Sequence, residues 1–195
     1  MVDLNRLKQI YKFGKELSLK DIQVLLKAAK NGSFCKKELL INEGSKRNDV
    51  FYIKSGLVRC FNINDKGEEI TLKLIPEHQV VANVDLILFS QASRYFFEAL
   101  ENTEVFFIDY DVLQDLVARN PKLEANRKYV LQRLLKESME RVESFVLLTP
   151  EERYLRFVKD YPGITNRVQD KYIANVLGIT PVSLSRIRKR IASKY

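Results

Sequence analysis

The sequence predicts an α+β fold in which antiparallel β structure comes first and helices follow. Residues 38–109 contain short apolar runs separated by turn residues such as NDKG at 64–67, which is typical of antiparallel strands. Residues 121–192 instead carry apolar side chains at helical spacing, with cap residues between the segments. The expected order is therefore a β domain, one long helix and a group of short helices.

The β domain is expected to contain six strands, with a helix on each side. Ser18 and Asp21 form a capping-box pattern at the start of a helix over residues 18–30. After the last strand, Asp109 or Asp111 is placed to cap a short helix. The near-regular spacing of the strands favours an antiparallel sandwich or barrel. The predicted strands are residues 38–41, 49–53, 57–63, 69–75, 95–100 and 103–109.

A single long helix is predicted from Pro121 to Leu147. At 1.5 Å per residue it would be about 40 Å long. Its broad apolar stripe can pack against the β domain of the same chain, or it can pair with a second copy of the helix. The stripe is wide enough for both, and a homodimer is favoured. The predicted dimer contacts are Val130, Leu131, Leu134, Leu135 and Val142.

The last 26 residues, DKYIANVLGITPVSLSRIRKRIASKY, have the pattern of two short helices joined by a turn. Ahead of them, Thr149 and Pro150 begin a further helix, and residues 166–169 are predicted to form a short strand. Gly178 is suited to end the first helix of the pair, because the turn needs a positive φ angle. Thr180 caps the second helix. The short turn and the apolar stripes on both helices predict a helix-turn-helix, a motif whose second helix inserts into DNA.

One face of the second helix carries polar and basic side chains away from its buried stripe. Arg186 is placed to make a bidentate contact with guanine, and Val182 to contact a thymine methyl group. Thr180 and Ser183 lie near the helix N-terminus, where phosphates bind. The alternative is a solvated basic helix that closes a small bundle. The predicted DNA-contacting residues are Thr180, Pro181, Val182, Ser183, Ser185, Arg186, Arg188, Lys189 and Arg190, together with Arg167 ahead of the motif.

The charge distribution agrees with a polyanionic partner. The chain carries a net charge of +8, of which +6 lies in residues 147–195. Charge alone would fit RNA or a membrane surface equally well, and it is the helix-turn-helix spacing that favours double-stranded DNA. The N-terminal residues lack an apolar signal-peptide core, and no apolar run approaches a membrane span. A cytoplasmic protein without a membrane partner is expected.

The order of these parts resembles the Crp/Fnr transcriptional regulators. The resemblance rests on ELLINEG with FYIKSGLVRCF, on NDKGEEITLKL, and on QDKYIANVLGITPVSLSRIRKRI. It implies a jelly-roll-like β-roll of the cyclic-nucleotide-binding type over residues 1–120, a dimerisation helix over 121–147 and a helix-turn-helix domain over 148–195. It also implies a sequence-specific regulator that acts as a homodimer on double-stranded DNA. RNA polymerase and an unidentified small-molecule effector are further candidate partners.

Two departures from the family pattern change these expectations. Cyclic nucleotide binders of the family have a Gly-Glu pair followed by an Arg-Ser or Arg-Thr pair, whereas residues 78–100 contain neither. Asp85 and Arg94 would have to replace the glutamate and the arginine. This protein is therefore expected not to bind cyclic AMP with useful affinity. Few residues follow Ile191, which implies a reduced wing. The candidate effector pocket is Asn83, Asp85, Ser93 and Arg94.

The sequence offers little for a metal, a cofactor or catalysis. An iron–sulfur cluster needs about four cysteine ligands, and the chain has Cys35 and Cys60. Those two would be a redox pair only if the strands brought them together, and an ordinary buried Cys60 is favoured. His78 is the single histidine, and a lone histidine is more often a surface or core residue than a ligand. Phosphate-loop and nucleophile-elbow motifs are absent, so no enzyme is expected. The remaining alternative is a ligand- or partner-binding sensor module with only non-specific affinity for nucleic acid.

Overall fold

A computed structural model of the chain describes residues 17–193. The predicted absence of a signal peptide concerns residues 1–16, which lie outside that range. Eight strands form two four-stranded sheets, with strand orders β1-β8-β3-β6 and β2-β7-β4-β5. The pairs β1–β8, β3–β8, β3–β6 and β2–β7 are antiparallel. The strands are β1 (Lys30–Phe34), β2 (Leu39–Ile41), β3 (Asp49–Ser55), β4 (Val58–Ile63), β5 (Glu69–Ile75), β6 (Val80–Ala82), β7 (Phe96–Ala99) and β8 (Thr103–Asp109).

Seven α-helices and one 3₁₀ turn account for the other regular structure in the described part of the chain. Pro121–Leu147 is a single helix, as predicted. The 3₁₀ turn covers Ile164–Asn166. The helices are α1 (Leu19–Ala28), α2 (Val84–Phe89), α3 (Tyr110–Ala118), α4 (Pro121–Leu147), α5 (Pro150–Asp160), α6 (Asp170–Leu177) and α7 (Pro181–Ala192).

The core of the β domain is built from alternate side chains of the strands. On β3, Phe51 and Ile53 are fully buried, whereas Tyr52 between them is only partly buried. This period of two is what a strand with one apolar face produces. Phe34 of β1 packs edge-on against Phe51, with ring centroids 5.9 Å apart. The cluster consists of Leu40, Ile41, Phe51, Ile53, Val58, Cys60, Ile75, Val81, Phe97, Ala99 and Val105.

A second, smaller core lies beside α1. Ile22 of α1 is buried with Leu17, Val117 and Leu123. The capping box of α1 is formed as predicted, because the Asp21 carboxylate accepts hydrogen bonds from the backbone and side chain of Ser18. Asp21 also accepts a hydrogen bond from the side-chain amide of Asn120 at 2.8 Å. The hydrogen bonds from Ser18 and then Asn120 lower the pKa of Asp21 to about 2.

The chain divides into two compact units. One consists of Met1–Cys60 and Ile75–Leu135, and the other of Phe61–Leu74 and Lys136–Tyr195. The end of the β4–β5 hairpin is therefore grouped with the C-terminal helices. Side chains of these helices form hydrogen bonds with the backbone of its edge strand, β5, at two points.

At the first point, the buried backbone N–H of Thr71 donates to the side-chain oxygen of Asn175 on α6 at 3.1 Å. At the second, the guanidinium of Arg141 on α4 donates to the carbonyl of Leu72 at 2.5 Å. An edge strand exposes unpaired N–H and C=O groups, and here side chains of α4 and α6 pair with them. The β4–β5 hairpin and the first helix of the predicted helix-turn-helix thus belong to one packed unit.

The predicted α+β class is confirmed, and all six predicted strands are present within two residues of their expected bounds. Two strands were missed, β1 and β6. Asn31 and Gly32 have turn propensity, yet they pair with Phe106 and Val105 of β8. A side chain at Gly32 would lie 3.1 Å from Val105 and 3.2 Å from Phe107. The glycine therefore allows close strand pairing.

The prediction of a strand at residues 166–169 was wrong. The structure has the 3₁₀ turn Ile164–Asn166 there, followed by irregular chain up to α6. Ile164 is buried, so this short apolar segment is anchored by one side chain. Helix α1 also ends two residues earlier than predicted, because the chain enters β1 at Lys30.

Candidate nucleic-acid interface

The turn between α6 and α7 has the geometry that the sequence predicts. Gly178 adopts φ 66° and ψ 36°, in the left-handed region, and ends α6. The backbone N–H of Ile179 donates to the carbonyl of Ala174 at 3.0 Å. Thr180 is extended, and its hydroxyl oxygen accepts the backbone N–H of Ser183 at 3.1 Å. Pro181 occupies the first position of α7, where a missing N–H costs nothing.

The two helices pack through the side chains expected to be buried. Ile173 and Ala174 of α6 are fully buried, and Leu177 nearly so. On α7, Leu184 is fully buried and Ile187 is 5% exposed. The packing confirms that these apolar positions form the inner faces of the motif.

The outer face of α7 carries the predicted contact residues. Val182 is 61% exposed, and Pro181, Ser185, Arg186 and Lys189 are also exposed. Each residue turns a helix by about 100°, which places Val182, Arg186 and Lys189 about 140–160° away from the buried Leu184.

Arg186 and Lys189 differ from the other cations of α7 in how their charges are placed. Within residues 17–193, neither side chain makes an ion pair or a hydrogen bond. Both cations are therefore open to an external anion.

Arg188 and Arg190 differ from these two cations because both have carboxylate partners within the domain. The guanidinium of Arg188 lies 2.6 Å from the carboxylate of Asp170 at the start of α6. Arg190 lies 2.9 Å from the carboxylate of Glu151 at the start of α5. In the sequence analysis both arginines stand beside Lys189 among the predicted DNA-contacting residues. Their acidic partners, which lie 18 and 39 residues earlier in the chain, were missed.

The remaining predicted contacts are Thr180 and Ser183 at the start of α7, and Arg167 ahead of α6. Thr180 is exposed, and its hydroxyl group lies 3.0 Å from that of the half-buried Ser183. Arg167 is exposed and follows the 3₁₀ turn that leads into α6. A cluster of hydroxyl groups at the N-terminus of α7 thus adjoins the open cationic face.

Helix α4 displays a long apolar stripe. Of the five predicted dimer contacts, Leu135 and Val142 are 63% and 64% exposed, Leu131 is 45% and Leu134 is 36% exposed, and Val130 is half-buried. The stripe continues beyond these positions through exposed Met139 and Val146. Positions 131, 135, 139, 142 and 146 repeat at intervals of three and four residues, so they lie along one side of the helix. Such a continuous exposed apolar stripe is typical of a surface that another protein covers.

The four residues of the candidate effector pocket have hydrogen-bond partners within the β domain itself. Asn83 is buried and caps α2, and its amide donates to the carbonyl of Ser45 at 3.0 Å. The hydroxyl of the buried Ser93 donates to the carbonyl of Tyr95. The buried carboxylate of Asp85 receives the guanidinium of Arg94 at 2.8 and 3.1 Å.

The ion pair of Asp85 and Arg94 determines the charge of the candidate pocket. The hydrogen bonds from Arg94 lower the pKa of Asp85, and the same pairing raises the pKa of Arg94. Asp85 and Arg94 therefore stay ionised and compensate each other. A cyclic nucleotide brings one phosphate charge, and it would meet an arginine that already has a buried counter-ion.

The cysteines and the histidine do not form a common site. Cys60 lies in the core of the β domain, whereas Cys35 is exposed. The Nδ1 atom of His78 lies 3.0 Å from the hydroxyl of Tyr52. Burial raises the pKa of Tyr52 to about 12. Across residues 17–193, no three His, Cys, Asp or Glu side chains are grouped as for a metal ion, and no helix is long and apolar enough to span a membrane.

The family model of the cyclic nucleotide-binding domain matches residues 32–120 of this chain. The anaerobic regulatory protein of Pasteurella multocida is 28% identical over 168 residues, which cover 80% of this chain and 60% of that protein. The transcriptional activator protein Anr of Pseudomonas protegens is 28% identical over 145 residues, 73% of this chain and 58% of that protein. The chain thus spans about three-fifths of the length of these relatives.

Solved structures with this fold include FixK2 from Bradyrhizobium japonicum, with a TM-score of 0.74 and 16% identity over 85% of each chain. The global regulator CLP of Xanthomonas campestris has a TM-score of 0.72 and 17% identity, over 91% of this chain and 93% of that one. The resemblance to the Crp/Fnr regulators that the sequence motifs indicate is confirmed by the matching domain and by these relatives.

Proposed function

We propose that this chain is a sequence-specific, DNA-binding transcriptional regulator of the Crp/Fnr type, that it acts as a homodimer and that it catalyses no reaction. The observation that carries the proposal is the outer face of α7. Arg186 and Lys189 are exposed there beside Val182 and Ser185, opposite the buried Leu184 and Ile187. Side chains of this kind read base edges and bind phosphates when the helix lies in a major groove.

The proposed homodimer rests on α4. A monomer would leave the apolar stripe at positions 131, 135, 139, 142 and 146 in water, because each of these side chains is at least 45% exposed in the single chain. Burial of apolar surface is favourable by about 25 cal/mol per Å², and a second copy of the same helix offers a matching stripe. In such a dimer two recognition helices would face DNA together, and the operator would have two-fold symmetry.

The proposed regulator does not respond to cyclic AMP. Arg94 is already compensated by the buried carboxylate of Asp85, so a phosphate would compete with that carboxylate for the guanidinium and would gain less from it than from an arginine without a counter-ion. The same proposal includes an effector other than cyclic AMP, RNA polymerase as a partner protein, and a cytoplasmic location. The relatives named as activators and regulators support it.

Selection of binding sites from a random DNA pool by the purified protein tests DNA recognition. We expect a two-fold-symmetric motif with half-sites about 34 Å apart, one turn of DNA. Analytical ultracentrifugation of the same protein should report a dimer, and Leu135→Glu should shift it toward monomer because a charge would enter the stripe. A selected pool without any sequence preference would favour the alternative, a sensor module that has only non-specific affinity for nucleic acid.

Calorimetric titration with cyclic AMP and cyclic GMP tests the effector proposal separately. No binding is expected in the micromolar range for the wild-type protein. Asp85→Asn is the informative variant, since it removes the charge that compensates Arg94 while keeping the side-chain size. Micromolar binding to the wild type would overturn the effector proposal and leave the DNA-binding proposal intact.

A further inference from the structure

The cations of α7 fall into two groups that differ in helical position. Taking the buried Leu184 as reference, Arg188 is displaced by about 40° around the helix, whereas Arg186 and Lys189 are displaced by about 160° and 140°. Arg188 therefore lies at the margin of the inner face. Its side chain is 30% exposed, in contrast to the exposed Arg186 and Lys189.

Three contacts hold the guanidinium of Arg188. One terminal nitrogen lies 2.6 Å from the Asp170 carboxylate, and Nε donates to the hydroxyl of Tyr154 at 3.2 Å. The guanidinium also stacks 5.7 Å from the centre of the Tyr154 ring. Its second terminal nitrogen is buried and has no hydrogen-bond partner within residues 17–193. The group is thus enclosed by the domain.

These contacts join three helices at one point. Asp170 is the first residue of α6, Tyr154 lies on α5, and Arg188 lies on α7. Arg190 adds a second link from α7 to α5 through Glu151. Burial lowers the pKa of Arg188, but the hydrogen bonds to Asp170 and Tyr154 outweigh it and raise the pKa, so the guanidinium stays charged.

We propose that Arg188 is a positioning residue, which fixes the orientation of the recognition helix through Asp170 and Tyr154 and does not contact phosphate. The inference rests on the proposed DNA-binding function and assigns a separate role within it. The planar guanidinium suits this task, because it can donate to a carboxylate and to a hydroxyl at once while stacking on a ring. Base reading needs side chains held in place, so a shift of α7 would affect sequence preference before general affinity.

The test compares Arg188→Gln with Lys189→Gln in the full-length protein. Affinity is measured for the selected operator and for an unrelated duplex of equal length, each over a series of salt concentrations. Loss of one phosphate contact lowers the slope of log affinity against log salt by about 0.9 per subunit. We expect that loss for Lys189→Gln on both duplexes. For Arg188→Gln we expect about tenfold weaker operator binding, an unchanged slope and unchanged affinity for the unrelated duplex.

The variant Asp170→Asn should change DNA affinity in opposite directions for the two possible roles of Arg188. If Arg188 binds phosphate, removing its acidic neighbour frees it, and both duplexes bind more tightly. If Arg188 positions α7, Asp170→Asn weakens operator binding, and the double variant with Arg188→Gln is no weaker than either single variant. Tighter binding by Asp170→Asn, or a lowered slope for Arg188→Gln, would overturn the proposal.

A measurement without DNA separates this inference from the proposed function. The ¹⁵N resonance of Arg188 Nε should be protected from rapid exchange in the free protein. Tyr154→Phe removes only the hydroxyl that accepts this hydrogen bond, and it should shift that resonance and speed its exchange, whereas Tyr161→Phe should not. If the wild type showed no sequence preference, the proposed function would fail, and this signal would still report whether Arg188 holds α5 and α7 together.

Discussion

Replacing Gly178 by Ala perturbs the turn that joins α6 to α7. Gly178 has φ 66°, and a Cβ atom there would lie 2.5 Å from Cε1 of Phe145 on α4. The substitution therefore adds backbone strain and also a steric collision. Gly163 provides a matched control in the same unit, because it has φ 81° and nothing within 4 Å of an added Cβ.

The expected magnitude follows from those two terms. A left-handed backbone costs a non-glycine residue about 1–2 kcal/mol, and the lower entropy of the unfolded chain offsets about 0.4–1 kcal/mol of that. Gly163→Ala should therefore destabilise by about 1 kcal/mol. In Gly178→Ala, Phe145 must also move away from the guanidinium groups of Arg141 and Arg153, which lie 5.5 and 4.9 Å from its ring centre. Each such contact is worth about 0.5–1 kcal/mol, so the total is about 2–3 kcal/mol.

Hydrogen exchange of the amides in α6 and α7, followed by mass spectrometry, measures this locally. Gly178→Ala should raise the opening constant about tenfold more than Gly163→Ala does, since each 1.4 kcal/mol is a factor of ten. Adding Phe145→Ala should bring the Gly178→Ala effect close to the control value. Equal effects of the two glycine substitutions would refute the argument that Phe145 constrains the turn.

Three further predictions concern the outer face of α7, the contact of Asn175 with the β4–β5 hairpin, and α1. Arg186→Ala should cost about 1–3 kcal/mol at the selected operator and relax preference at one base position, whereas Lys189→Ala should weaken all sequences alike; titrations against single-base operator variants check this, and identical behaviour of the two would contradict the assignment of Arg186 as base reader. Asn175→Ala removes the acceptor for the buried N–H of Thr71, at a cost of about 1–3 kcal/mol; exchange of that amide should accelerate, and Asn175→Asp, which keeps an acceptor oxygen, should change it less. Because folding lowers the pKa of Asp21 from 3.8 to about 2, its stabilising contribution is present above pH 4 and is lost as the pH falls toward 2; the difference in unfolding free energy between wild type and Asp21→Asn should shrink over that range, and a constant difference would exclude this carboxylate as its source.

Helix bounds in the C-terminal part were predictable because their signals are local. Thr149 and Pro150 begin α5, and Thr180 and Pro181 begin α7, as the cap and first-turn preferences require. The full extent of α4 could be read from its unbroken apolar period. In each case the residues that determine the boundary lie within one turn of it.

The features that the sequence did not predict depend on contacts with a distant part of the chain. Gly32 is next to an asparagine, which indicates a turn, but contact with β8 makes it part of a strand. Arg188 has the same chemistry as its neighbours on α7. Its position in the sequence did contain one signal. Arg188 is displaced by about 40° from the buried Leu184 around the helix axis, so it lies near the inner face of the helix. The identity of its partners, Asp170 and Tyr154, could not be read from spacing.

The α+β class, the helix-turn-helix and the outward face of its second helix follow from the sequence alone, because alternation, helical period and caps act over a few residues. Which charges remain available depends on the folded chain. It pairs Asp85 with Arg94 and Asp170 with Arg188, and it leaves Arg186 open. The reason is physical: an ion pair depends on atoms within about 4 Å, and the chain brings residues from separate elements to that distance only when it folds.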